Sequence, residues 1–349
     1  MKVSVIIPVY RSSPYVERVA SILSRQTAPV EIIVVVDEPE EWFLEKLHSI
    51  EGVKLIVNRT RIGKAKALNM AVNHASGDLL LFLDSDVEIP DDDSFIEKLM
   101  EEFGDADIID LRKEVVDNGL LPRMAYYEYL ASNAASWLLT RVINGLPAIN
   151  GSAFAVKREV FDSVGGFASV ISEDFEFATR AYLKGYKFSY SKRLTVYSHV
   201  HKSWGDWLRQ RERWALGAVD WAARWAFKIL RTFAQKPQVL LAALVMLLPS
   251  IVTGISGLLM ATFATVNMPT SSANMIADLS LMGGIAMTIT GFAAIAALYW
   301  AFGRALGYNV RLVELALYYF IYSPLYLIMI LEAIVAYAVG KRTVKGWKV

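Results

Sequence analysis

Two carboxylates at i and i+2, Asp84 and Asp86, follow the apolar run 79–83. Hard divalent cations take oxygen ligands, and Mg2+ or Mn2+ commonly bridges one or two carboxylates to substrate phosphates. A solvated acidic loop, with Asp91-Asp92-Asp93 close by, is the alternative. Asp37 closes a second apolar run, 32–36, where a carboxylate can accept hydrogen bonds from a nucleobase or ribose, or can cap a turn. Glu173-Asp174 is a further acidic pair. It can divide labour, one acid orienting a group and the other taking a proton, or it can sit in the first turn of a helix capped by Ser172. His199 and His201 flank Val200. On a strand they would share a face, and His201 or His199 could add a nitrogen ligand to a metal; a hydrogen-bonded polar histidine is the other reading. In Gln210-Arg211-Glu212-Arg213-Trp214, Arg213 can reach a phosphate and Trp214 can stack on a sugar.

These residues need a frame. Apolar, β-branched runs at 3–9, 31–36, 53–57 and 79–83 have the length and composition of buried parallel strands, and helical patterns at 17–26 and 64–74 fall between them. Strand and helix alternating over the first 90 or so residues predict a doubly wound α/β sheet, whose ligands bind at the carboxyl ends of the strands, where Asp37 and Asp84 fall. From about 110 to 200 the pattern is mixed and punctuated by Gly151, Gly165-Gly166 and Gly185.

The composition is too apolar for an ordinary soluble domain: of 349 residues 54% are hydrophobic and 20% charged, with a mean hydropathy of +0.35. The apolarity is concentrated, since Asp278 is the one charged residue between 237 and 303. Three segments, 238–266, 279–303 and 312–339, are predicted to span a membrane. Five of the nine tryptophans lie between 204 and 225, with Trp207, Trp214, Trp221 and Trp225 spaced to share a face and Arg209, Arg211, Arg213, Arg224 and Lys228 interleaved. That pattern predicts an amphipathic helix lying in the membrane interface. The expected organisation is a cytoplasmic catalytic domain at 1–200, interface helices at 201–236 and a transmembrane domain at 237–349. No leader-like segment opens the chain, which places the catalytic part on the cytoplasmic side. Arg304 and Arg311 fit a cytoplasmic loop, whereas Lys341, Arg342, Lys345 and Lys348 run against a third crossing. A net charge of +1 argues against a nucleic-acid partner, and the absence of cysteine excludes disulfides, zinc ribbons and thiol catalysis.

Taken in order, the motifs carry more than they do singly. Val5-Ile6-Ile7-Pro8-Val9-Tyr10, Asp37, Gly63-Lys64-Ala65-Lys66-Ala67-Leu68-Asn69, Asp84-Ser85-Asp86, Glu173-Asp174 and Gln210 through Trp214 resemble the family 2 glycosyltransferases, specifically their membrane-bound, cellulose-synthase-like branch. The resemblance covers about residues 3–235. It implies a glycosyltransferase A fold and an inverting, metal-dependent transfer from a nucleotide sugar. Carried across, Asp37 would contact the nucleobase, Asp84 the ribose and metal, and Asp86 the metal (Mn2+ or Mg2+). Asp174 would be the general base beside Glu173. Lys64 and Arg213 would hold the diphosphate, and Gln210 and Trp214 the acceptor. No residue separates a guanine from a uracil donor; GDP-mannose is preferred over UDP-glucose and UDP-N-acetylglucosamine by analogy with family members that act on lipid-linked glycans, and a lipid-linked glycan is the expected acceptor. Three spans hardly enclose a channel, so a non-processive enzyme is expected. A polyprenyl-phosphate sugar synthase, and a nucleotide-binding subunit without activity, are the rival readings.

Overall fold

The computed structural model describes residues 1–235 and 271–340. One sheet of eight strands organises the first 200 residues: β1 (Val3–Tyr10), β2 (Val30–Asp37), β3 (Val53–Asn58), β4 (Leu79–Leu83), β5 (Val87–Glu88), β6 (Ile108–Val115), β7 (Ala153–Lys157) and β8 (Phe188–Ser198), in the order β3-β2-β1-β4-β7-β6-β8-β5. The apolar runs of the first half are explained by double-sided burial. Val3, Val5, Ile7 and Val9 of β1 point to one core and Ile6 to the other, and Leu79, Leu81 and Leu83 of β4 alternate in the same way with Leu80 and Phe82. On the first face pack α1 (Val16–Ser24), α2 (Glu41–His48) and α4 (Phe95–Phe103). On the second lie α3 (Lys64–Asn73), the end of α5 (Leu120–Ile143), α6 (Arg158–Val164) and α7 (Glu173–Leu183).

β3, β2, β1 and β4 are mutually parallel, as the alternation of strand and helix predicts. Beyond β4, where the sequence pattern is mixed, the sheet becomes mixed as well. β7 runs antiparallel to both β4 and β6, and β5 antiparallel to β8. The mixed pattern at 110–200 reflects this insertion, since β7 reaches the sheet from a sequence position about 70 residues after the neighbouring β4.

β8 ends at Ser198, and a single helix, α8 (Trp204–Gln235), follows. It is followed among the described residues by α9 (Ser271–Leu306), α10 (Leu312–Leu317) and α11 (Ser323–Ala338), the last two joined by a π turn at Tyr318–Tyr322. Among the described residues two stretches are long and apolar enough to cross a membrane, Thr288–Leu306 with 19 residues and Leu312–Ala338 with 27. The expected span at 238–266 lies outside the described residues. Ile289, Trp300, Ile328, Leu331 and Val335 are exposed on these helices.

The tryptophan stripe of α8 does not face away from the protein. Trp207 is buried and donates from Nε1 to the Tyr322 hydroxyl at 2.9 Å, and Trp221 donates to Thr179 Oγ1 at 2.8 Å. A buried indole needs an acceptor, and α7 and the π turn supply them, so this face docks α8 onto the protein instead of into lipid.

Candidate functional site

The carboxyl ends of β2 and β4 and the N-termini of α3 and α7 meet at one place. Asp37, the last residue of β2, is buried, and its Oδ2 accepts the backbone N–H groups of Ile62 (2.9 Å) and Gly63 (3.1 Å) while Oδ1 accepts Asn58 Nδ2 (3.0 Å). Gly63 has a φ of 97°, a conformation that favours glycine, and it turns the chain into α3. Asp37 therefore anchors the loop that delivers Lys64. The Lys64 ammonium lies 2.7 Å from Asp84 Oδ1 and 3.2 Å from Glu173 Oε1. Burial pushes Lys64 towards the neutral amine, but Asp84, Glu173 and Asp174 together outweigh it, so its pKa is raised.

Asp84 begins a turn in which its N–H donates to the Ser152 carbonyl (2.8 Å) and its carbonyl accepts Val87 N–H (3.1 Å). The turn presents Asp86 on the same side. Asp86 itself is solvent-exposed; desolvation by the surrounding protein, then repulsion by Asp84, push its pKa up, with Lys64 and Arg213 opposing.

Glu173 and Asp174 do open a helix, α7, but Ser172 makes no side-chain cap to it. Asp174 instead is held by two backbone donors, Gly151 N–H to Oδ2 and Phe175 N–H to Oδ1, each at 2.8 Å. Burial and the adjacent Glu173 raise its pKa to about 6. Arg213 approaches from α8. Burial lowers its pKa, and Glu173, Asp84, Asp174 and Asp86 all act in the opposite direction, so its guanidinium lies within electrostatic range of the four acids.

Four acids thus face two cations, Lys64 and Arg213, a deficit of two positive charges when all are ionised. A hard divalent cation fits that deficit. Among the described residues no group of three histidines, aspartates or glutamates is arranged to hold a metal, so Asp84 and Asp86 would supply two oxygens and leave the other positions to water and phosphate.

The histidines do not behave as a strand would make them. Both lie beyond β8, so alternation does not apply. His199 stacks on Tyr15 with ring centroids 3.8 Å apart, and its Nε2 lies 2.6 Å from Glu88 Oε1. His201 is not grouped with Asp84 and Asp86 and is solvent-exposed; desolvation by nearby protein lowers its pKa, with Asp206 opposing and Arg211, Arg209 and Arg213 adding to the effect. Gln210 and Trp214 lie on α8 three residues before and one residue after Arg213 and contact Arg211. Gln210 Oε1 accepts Arg211 Nη1 at 2.7 Å, and the Arg211 guanidinium lies 4.1 Å from the Trp214 ring centre.

Three contributors escape sequence reasoning. Gly151 is close enough that a Cβ there would fall 2.5 Å from Asp174 Oδ2. Asn69 ties α3 to the loop before α7 through both the N–H (2.9 Å) and the carbonyl (2.8 Å) of Phe167. Arg211 is buried and pairs with Glu128 of α5. The Asn-Gly-Ser turn at 150–152 hints at the first; the last two depend on contacts distant in sequence.

With the geometry in place, comparison with known proteins is informative. Residues 4–165 match the glycosyl transferase family 2 domain. A poly-beta-1,6-N-acetyl-D-glucosamine synthase of Staphylococcus epidermidis is 26% identical over 245 residues, covering 66% of this chain and 58% of the relative. A dolichol-phosphate mannosyltransferase of Pyrococcus furiosus is 27% identical over 206 residues, covering 52% of this chain and 58% of the relative. This chain thus spans a little over half the length of the curated relatives it matches. Among solved structures, a mannosyltransferase from Pyrobaculum calidifontis in complex with GDP-Man and Mn2+ has a TM-score of 0.58 at 23% identity, covering 92% of this chain and 87% of that one. That likeness bears on the fold, which is of the glycosyltransferase A type.

Proposed function

We propose, for a chain whose residues 4–165 form a glycosyl transferase family 2 domain, the inverting transfer of one hexose from a nucleoside diphosphate sugar to an acceptor hydroxyl held at a membrane. The observation that carries this reading is the convergence of Asp84, Asp86, Glu173 and Asp174 around Lys64 and Arg213, with Asp174 fixed by two backbone donors. In the step itself the acceptor hydroxyl attacks the anomeric carbon. Asp174 takes its proton as the new C–O bond forms, and the bond to the nucleoside diphosphate breaks with its electron pair leaving on phosphate. A pKa near 6 keeps Asp174 ionised at neutral pH yet more basic than an ordinary carboxylate. Lys64 and Arg213 oppose the charge growing on the diphosphate. A Mn2+ or Mg2+ ion held by Asp84 and Asp86 would add Lewis-acid neutralisation of the same oxygens. Asp37 would sit beside the nucleobase through the loop it anchors, and Gln210 and Trp214 would bound the acceptor.

Mannose from GDP-mannose is our preferred donor, in keeping with the mannosyltransferase likenesses, one of them in complex with GDP-Man; the N-acetylglucosamine synthases among the relatives make UDP sugars the rival. A lipid-linked glycan is our preferred acceptor, in a non-processive reaction. The two apolar helices support membrane anchorage. The loop between them packs on the catalytic sheet, with Asn133 Nδ2 donating to the Tyr308 hydroxyl at 2.6 Å and Tyr308 donating to the Lys113 carbonyl at 2.8 Å. Arg304 and Arg311 therefore share a side with the catalytic domain, which fits a cytoplasmic location. The dolichol-phosphate mannosyltransferase relative favours a second reading, in which lipid phosphate is itself the acceptor. Nucleotide release by the detergent-purified chain from GDP-mannose, UDP-glucose and UDP-N-acetylglucosamine, with and without EDTA, tests the class. Release from one donor, abolished by EDTA and in Asp86→Ala, is expected; release that is equal in EDTA contradicts the metal assignment. Product analysis then separates an extended glycan from a lipid monophosphosugar.

A further inference from the structure

Arg211 stands inside the Gln210 to Trp214 segment but takes no part in the acidic cluster. It is 1% exposed and lies on the side of α8 shared by Trp207 and Trp214, four residues before and three after it. Its Nη2 reaches Glu128 Oε2 of α5 at 2.5 Å and the Tyr322 hydroxyl at 2.8 Å. Tyr322 donates to the same Glu128 oxygen at 2.7 Å and accepts Trp207 Nε1 at 2.9 Å. The other limb of the guanidinium donates to Gln210 Oε1 at 2.7 Å, and its plane covers Trp214. One buried cation therefore touches Gln210 and Trp214, the two residues assigned above to the acceptor, and it is itself held by a carboxylate of α5 and by a hydroxyl at the end of the π turn in the second apolar stretch.

We infer that Arg211 is a positioning residue, and that Tyr322 and Glu128 act through it to fix Gln210 and Trp214, so that the membrane helix sets the geometry of the acceptor side of the site. The catalytic consequence rests on the proposed transfer reaction; the structural consequence does not. A guanidinium can fork to Glu128 and Gln210 while stacking on an indole, and an ammonium cannot, so the requirement is for arginine and not for positive charge alone.

The test uses the full chain in detergent, as wild type, Tyr322→Phe, Glu128→Gln and Arg211→Lys. The first readout is amide hydrogen exchange of residues 208–218 against that of β1–β4. The second is donor KM and kcat for nucleotide release, with whichever of GDP-mannose, UDP-glucose or UDP-N-acetylglucosamine the wild type turns over. Exchange in 208–218 is expected to quicken about tenfold in all three variants while β1–β4 stays protected, with kcat down about tenfold and donor KM within about twofold of wild type. Unchanged exchange in 208–218 overturns the proposal. So does faster exchange throughout β1–β4, which marks a role in overall stability only, and so does a faster-exchanging turn with wild-type kcat. If the wild type turns over no donor, the reaction assigned above fails, and the exchange data alone decide whether the membrane helix positions this turn.

Discussion

At the scale of single residues, the site depends on how backbone groups aim carboxylates. Asp174 owes its direction to Gly151 and Phe175. Gly151→Ala places a methyl group 2.5 Å from its Oδ2, so the carboxylate must move. We expect kcat to fall about a hundredfold with little change in donor affinity, measured by nucleotide release and calorimetric titration. The sign of the pH dependence follows from the raised Asp174 carboxyl. Asp174 is a base only when deprotonated, which requires a pH above about 6. Activity should therefore fall as the pH drops through about 6 and level off above it. A rate that is flat from pH 5 to 8 would contradict this. The acids were legible in the sequence because strand ends display them. Gly151 and Glu128 were not, because their roles come from what lies beside them in space.

Among the elements, α7 carries Glu173 and Asp174 and is held down by aromatic packing. Phe177 is fully buried, with its ring centre 5.2 to 6.1 Å from those of Phe154, Phe161 and Phe167. Phe177→Ala leaves a cavity there and should cost about 3–5 kcal/mol of stability, read from denaturant unfolding of purified protein. The strands and helices up to β4 could be read directly, since strands buried on both faces are continuous apolar runs. α2 escaped because only Phe43 and Leu47 of its eight residues are buried. β7 escaped because its direction is set by pairing with β4 and β6, which local pattern does not encode. The tryptophan stripe misled for a physical reason: an indole face has the same spacing whether it meets lipid or protein, and only Tyr322 and Thr179, which are 115 and 42 residues from their partners, reveal which.

For the whole molecule, a charged catalytic sheet sits on helices whose outer faces are apolar. Ile289, Ile328, Leu331 and Val335 are exposed, and under the proposed membrane anchorage they would meet lipid. The chain expressed in cells should stay in the membrane pellet through an alkaline carbonate wash; release into the supernatant would contradict anchorage. The central claim is that Asp174 takes the acceptor proton within a site that binds the donor without it. The most direct measurement compares wild type with Asp174→Asn, which keeps shape and removes the base, in donor binding and in nucleotide release. The account predicts donor affinity within about threefold and turnover down by about 10²–10⁴. Equal turnover in the two proteins would contradict it.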